Sequence, residues 1–200
     1  MIKAKVALLL AALLATTLSA APSQANDPAK NLAIWDQLQG TNPKGYVFHM
    51  RHALAPGVGD PPNFKVNDCS TQRNLNDEGR AQASEMGQWL QRREIKILRV
   101  ESSRWCRAKE TAQLLNIGKV RPNRNLDSLF QETNLESHPQ TANIKKRIQS
   151  HRNTRGLLVF VGHFVNFQAV AQVSLDSGEG VLIKATPSGE FKVMGYSPKP

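Results

Sequence analysis

The sequence is short of aromatic residues, of acids and of cysteine. Aromatics make up 6% of it, and no recognised nucleic-acid motif accompanies them, which argues against a nucleic-acid-binding module although the charge would suit one. Asp and Glu number 16 against 26 Lys and Arg, for a formal net charge of +10. That balance favours anionic partners (phosphate esters, nucleic acid or an acidic envelope surface) without choosing among them. No apolar run reaches the roughly 20 residues that a membrane-spanning helix needs. The run from Val6 to Leu14 breaks at Thr16-Thr17. Repeats and low-complexity stretches are missing, so disorder is not expected. No grouping of His, Cys and Asp has zinc-ligand spacing, and no metal is expected. Cysteine occurs only as Cys69 and Cys106.

What is present begins with an export signal. Lys3 and Lys5 precede the apolar run, and Ser23-Gln24-Ala25 supplies the small-x-small pattern of a signal peptidase site. Residues 1–25 are therefore expected to be a cleaved secretory signal peptide, with the mature chain starting at Asn26 in the periplasm or outside the cell. No stable membrane insertion is expected after cleavage. Residues 26–44 read as a leader with a short helix around Leu32 to Leu38, and residues 45–200 suit one domain with a single core.

Within that domain, residues 45–50 read as a strand that ends in Arg51-His52 and gives way to a Pro/Gly-rich loop over residues 53–74. A loop of that length is uncommon unless it covers a site. Asn76-Asp77-Glu78 opens a helix with a capping side chain and acids in its first turn, and Ala83, Met86 and Leu90 recur at helical spacing on its core face. Residues 95–100 form a second strand, followed by a helix through Arg107 and Thr111. Residues 141–152 form another helix, with an exposed basic face at Lys145-Lys146-Arg147. Residues 156–161 are continuously apolar, as a central strand covered on both faces would be. They end at Gly162-His163, before a helix over residues 164–173 and a closing hairpin turning at Pro187-Ser188-Gly189. Strands alternating with helices predict an α/β fold, a three-layer αβα sandwich around a mostly parallel sheet.

The candidate chemistry falls just beyond strand ends, where such folds place ligands. Guanidinium is a permanent planar donor fork for phosphate oxygens, which suits Arg51 and Arg107 to a phosphate clamp. Neutral imidazole is a nucleophile, which suits His52 to attack phosphorus. A protonated His163 would add a third donor for the charge that develops on the transferring group. The leaving oxygen needs a proton, and Glu132, in a loop-like segment, is the expected acid, with Glu136 as the competing choice. His49 shares the strand face of Arg51 and is expected to be a satisfied structural histidine. His138 and His151 are expected to be solvated.

Arg51-His52-Ala53 resembles the Arg-His-Gly signature of the histidine phosphatase superfamily, the phosphoglycerate mutase-like proteins. Ser103-Arg104-Trp105-Cys106-Arg107-Ala108-Lys109-Glu110-Thr111-Ala112 is similar to that family's Ser-x-x-x-Arg-Ala-x-x-Thr-Ala pattern, and Gly162-His163 resembles its late histidine. The resemblance implies a phosphoglycerate mutase-like fold, a phosphorylated His52, and a phosphate pocket of Arg51, Arg107 and His163 with no cofactor or metal. Ala53 stands where the signature has Gly, as in phosphohistidine phosphatase-like members. The family's acid motif has no clear match, so Glu132 and Glu136 both stay open.

An exported protein with two cysteines usually pairs them. A Cys69–Cys106 bridge would tie the loop after His52 to the helix that carries Arg107. The expected activity is that of an exported phosphomonoesterase acting on a small-molecule phosphate ester or a phosphorylated envelope component. The alternatives are mutase-type phosphoryl transfer and a non-catalytic anion binder.

Overall fold

The computed structural model describes residues 28–199, with side chains of the first helix from residue 33 onward. The expected signal peptide lies outside the described residues. The elements follow in the order α1 (Pro28–Leu38), β1 (Tyr46–Arg51), α2 (Asp77–Gln91), β2 (Ile97–Ser102), α3 (Cys106–Leu114), β3 (Val120–Pro122), α4 (Pro139–His151), β4 (Leu157–Gly162), α5 (Phe164–Ala171), β5 (Gly180–Ala185) and β6 (Phe191–Tyr196). Short 3-10 turns lie at Cys69–Thr71 and Arg124–Leu126.

The strands form one sheet in the order β3-β2-β4-β1-β5-β6. Its first four members run parallel, and the terminal hairpin adds β5 and β6 antiparallel. β4 sits inside this sheet, and its unbroken apolar sequence reflects cover on both faces; all its residues are buried. Alternation then divides the core. Val159 and Val161 pack with Phe48, Met50, Met86 and Leu115 on one face, under α1, α2 and α3. Leu158 and Phe160 pack with Val47, Ile144, Ile148 and Phe167 on the other, under α4 and α5. Each such fully buried side chain contributes roughly 1.5–3 kcal/mol. The result is the expected three-layer sandwich.

Trp35 of α1 is fully buried in the first of these clusters, and its indole Nε1 donates to the Tyr196 carbonyl at 2.9 Å. The leader helix is thereby packed into the domain. α2 starts as its sequence predicts: Asn76 Oδ1 accepts the Gly79 N–H at 2.9 Å, and Asp77 and Glu78 occupy the first turn. This helix meets its neighbours backbone to backbone. A Cβ at Gly79 would collide with the Leu54 carbonyl, and one at Gly87 with the Leu115 carbonyl.

Three expectations are corrected. His151 is buried, not solvated, with Nε2 2.9 Å from the Gly156 carbonyl oxygen. It lies one turn beyond Ile148 and two beyond Ile144, on the apolar face of α4. His138 is half-buried and caps α4, its Nδ1 accepting the Gln140 N–H at 3.2 Å. The basic face of α4 is not wholly solvated either, because Arg147 is half-buried and pairs with buried Glu101 at 3.1 Å.

Candidate active site

Strand register sets the site. Arg51 stands opposite Gly162 on β4, and Ser102 of β2 stands opposite Val161. The chain therefore leaves the sheet at one level in three adjacent places, delivering His52, Ser103 and His163 side by side. A cavity of about 230 Å³ opens there and brings Arg51, His52, Arg107 and His163 together with Asp60 and Arg73.

His52 is 3% exposed, and its Nδ1 lies 2.8 Å from the carbonyl oxygen of Ala53. That carbonyl can only accept, so Nδ1 carries the hydrogen and Nε2 keeps its lone pair. Burial, followed by the positive charge of Arg107, pushes the His52 pKa down to about 3. The ring is therefore neutral, the state a nucleophile requires. Ala53 is itself fixed by α3: its N–H donates to Thr111 Oγ1 at 3.0 Å, and that hydroxyl donates to the Arg107 carbonyl at 2.7 Å. Thr111 of the Ser-x-x-x-Arg-Ala-x-x-Thr-Ala pattern thus holds the backbone on which His52 is oriented.

Arg107 is 2% exposed. Its Nε donates to His52 Nε2 at 3.2 Å, and Nη1 donates to Asp60 Oδ1 at 2.6 Å. The guanidinium therefore already touches the atom expected to attack. Arg51 approaches from the other side, with Nη1 donating to the Leu175 carbonyl at 2.8 Å and its guanidinium 5.5 Å from the Phe164 ring centre. Its Nε is buried without a protein partner, a donor that a bound anion could take up.

His163 Nε2 lies 2.8 Å from Ser103 Oγ, and Ser103 Oγ lies 3.3 Å from Asp127 Oδ1. A hydroxyl has one hydrogen. Donated to the carboxylate, it leaves Ser103 Oγ to accept from His163 Nε2–H, which fixes the ring across the cavity from His52 at a centroid separation of 5.3 Å. Asp127 is anchored in turn by Arg104, whose Nε donates at 2.7 Å. Burial, then the neighbouring His52 and Arg107, holds His163 well below the ordinary histidine pKa. An arriving phosphate would act in the opposite direction.

Glu132 and Glu136 are not brought to this cluster. Both are exposed, and neither lines the cavity. The carboxyl that does line it is Asp60, in the loop after β1, which sequence reasoning missed. Asp60 Oδ2 accepts Trp105 Nε1–H at 2.8 Å. Burial pushes its pKa up, but the hydrogen bonds from Arg107 and Trp105 and the charges of Arg107 and Arg73 outweigh this and leave it below the usual carboxylate range. Arg73 is the second residue missed. Its Nε donates to the Gly59 carbonyl at 2.8 Å and its Nη1 to the Ala55 carbonyl, so it braces the loop segment that presents Asp60. Nothing periodic marks either residue in the sequence.

Cys69 and Cys106 form a disulfide. The bridge joins the loop to the first residue of α3, immediately before Arg107. Gln72 reinforces it, its Oε1 accepting the Cys106 N–H at 2.8 Å where Trp105 offers α3 no side-chain cap. Among the described residues no three His, Cys, Asp or Glu side chains converge as metal ligands.

The fold is similar to that of the protein histidine phosphatase SixA complexed with tungstate, at 17% identity and a TM-score of 0.59, over 77% of this chain and 97% of that one. It is also similar to a phosphoserine phosphatase mutant from Entamoeba histolytica in complex with phosphoserine, at 11% identity and a TM-score of 0.59, over 77% and 97%. The alpha-ribazole phosphatase from Shigella flexneri aligns at 13% identity and a TM-score of 0.54, over 78% and 100%. No curated protein matches the sequence. Identities this low speak for the fold. The sequence model of the histidine phosphatase superfamily (branch 1) matches residues 51–156, more than half of the chain, and it begins at the arginine that opens the cavity. The chain belongs to the histidine phosphatase superfamily, branch 1.

Proposed function

We propose that the protein is an exported phosphomonoesterase that works through a phosphohistidine on Nε2 of His52. One observation carries this reading. His52 is buried, neutral and held by its Nδ1, so its Nε2 lone pair, which accepts the Arg107 Nε–H in the empty site, faces a cavity lined by three arginines.

Arg51 and Arg107 would hold the nonbridging oxygens of a bound phosphate, and His163 would gain a proton as the dianion arrives. The Nε2 lone pair forms the N–P bond as the P–O bond to the leaving group breaks. The leaving oxygen takes a proton from a carboxyl group, for which Asp60 is placed and Glu132 is not. Water then attacks phosphorus, gives its proton to that carboxylate, and the N–P bond breaks to release phosphate and neutral His52. Asp60 is ionised in the empty site. A bound phosphate would draw Arg107 away from it and set negative charge beside it, both of which raise its pKa.

Export is supported by the signal-like start of the sequence and by the Cys69–Cys106 bridge, since disulfides persist in oxidising compartments. The chain recovered from its native host should begin near Asn26 by mass spectrometry. For the chemistry, rapid acid-free quench with a labelled phosphoester should trap an acid-labile, base-stable phosphoryl group on His52. His52→Ala should lose both label and turnover while its circular dichroism stays unchanged. Turnover by His52→Ala close to that of the natural protein would overturn the mechanism.

A further inference from the structure

The cavity has a second chemical character at its mouth. Three large apolar side chains stand exposed among the described residues, Val58 at 86%, Phe130 at 54% and Leu98 at 48%. Two of these three, Val58 and Phe130, line the phosphate cavity. Single exposed apolar residues need no explanation, whereas a pair at one cavity mouth does. They reach it from different segments, Val58 from the loop after β1 and Phe130 from the segment after β3, and a Cβ at Gly59 would lie 3.7 Å from the Phe130 ring.

The exposure of Val58 is built in. Gly57 and Gly59 flank it with φ of +93° and +70°, backbone that places Val58 at the tip of a tight excursion. Arg73 ties the segment down on either side of Val58, through the Ala55 and Gly59 carbonyls. Phe164 and Val165, at the start of α5, continue the apolar lining toward Arg51. Polar groups are concentrated at the base, where phosphate belongs. Of the other polar side chains in the lining, Asp60 is bonded by Arg107 and Trp105, Arg73 by the Gly59 and Ala55 carbonyls, and Ser128 Oγ accepts the Phe130 N–H at 3.3 Å while keeping its own hydrogen. A sugar or amino-acid leaving group would need fixed donors and acceptors there, since sites that select hydroxyl or amino groups hydrogen-bond them.

We propose that the site selects phosphate monoesters of apolar alcohols, with the phosphoryl group on Arg51 and Arg107 and the alkyl or aryl leaving group lying across Val58 and Phe130. This rests on the phosphomonoesterase reading above. A cavity of about 230 Å³ is small beside the usual 300–1,000 Å³ of ligand pockets. It takes the phosphoryl group and the first atoms of the leaving group, and the remainder crosses the rim.

The test compares kcat/KM for hexyl phosphate and glycerol 1-phosphate, two alkyl esters that differ in polarity, with 2-naphthyl against phenyl phosphate as the aryl arm. A covered methylene is worth about fourfold, so three covered methylenes should favour hexyl phosphate by roughly fiftyfold, mostly through KM. Phe130→Ala should collapse the hexyl-to-glycerol ratio by tenfold or more. Being a ratio within one protein, this readout is insensitive to any misfolded fraction. An advantage for naphthyl without one for hexyl phosphate restricts the class to aryl esters, and the reverse restricts it to alkyl esters. Equal efficiency on all four esters, or a ratio that Phe130→Ala leaves intact, overturns the inference while leaving the phosphomonoesterase reading standing. No turnover of any ester by the folded protein overturns both.

Discussion

His49 offers a quantitative test of how this core is assembled. It is wholly buried on β1, its ring 3.7 Å from that of Phe167 and 5.6 Å from that of Phe160, and neither ring nitrogen has a protein hydrogen-bond partner. It is structural, as the sequence suggests, but unsatisfied. Burial holds its pKa well below the ordinary value. The folded protein therefore refuses a proton that the unfolded chain accepts below about pH 6.5. Stability is full above that pH and falls as the pH drops toward the folded pKa, by about 1.4 kcal/mol per pH unit. From pH 7.5 to pH 5.0 His49 should therefore lower the stability of the fold. His52, whose folded pKa of about 3 lies below this whole range, should cost about 2 kcal/mol between pH 7.5 and pH 5.0, and His163 is depressed in the same direction. His49→Leu should shrink the difference in unfolding free energy between pH 7.5 and pH 5.0, measured by guanidinium denaturation of both proteins in phosphate-free buffer. An unchanged difference would mean that His49 is not held neutral in the fold.

Three further outcomes are expected. Replacing Cys69 and Cys106 by Ser removes a cross-link between residues 37 apart; chemical denaturation should register a loss of up to about 4 kcal/mol, and an unshifted midpoint would show that the bridge adds nothing to the fold. Asp60→Asn should reduce turnover of alkyl phosphates by roughly 10²–10⁴-fold and of nitrophenyl phosphate far less, as loss of a general acid does, whereas Glu132→Gln should be mild. The opposite pattern in those rates returns the acid role to Glu132. Thr111→Val strips a hydroxyl that bonds both the Ala53 N–H and the Arg107 carbonyl, so it should cost about 1–3 kcal/mol of stability and lower kcat, with Thr111→Ser restoring both.

Much of the fold is legible because its signals are local. The apolar run of β4, the Asn76 cap and the spacing of Ala83, Met86 and Leu90 each report the environment of their own segment, and the structure follows them. Arg51, His52, Arg107 and His163 stand at the ends of such segments, so their proximity could be anticipated. Strand order could not, because nothing in β1 says that it pairs with β4 and β5. The loop between β1 and α2 has no periodicity, and its path depends on Arg73 bonding to distant carbonyls and on the bridge to Cys106. Asp60 is hidden for that reason, and Glu132 is singled out only by its loop-like segment. His151 misled because the polar residues around it face outward while it faces in.

The bare backbone contacts of α2 extend the demands of catalysis to residues with no chemistry. Gly79 abuts Leu54, two residues past His52, and Gly87 abuts the end of α3, the helix that carries Arg107. The helix therefore packs directly on the backbone of the segment that follows the nucleophile and of the helix that carries its clamp. A methyl group at either glycine would wedge α2 outward. Because misplacement by about 1 Å can cost a hundredfold in rate, such a variant could stay folded, keep every side chain of the cavity and still lose turnover. A screen for inactive variants should therefore recover alanines in a helix that never meets the substrate.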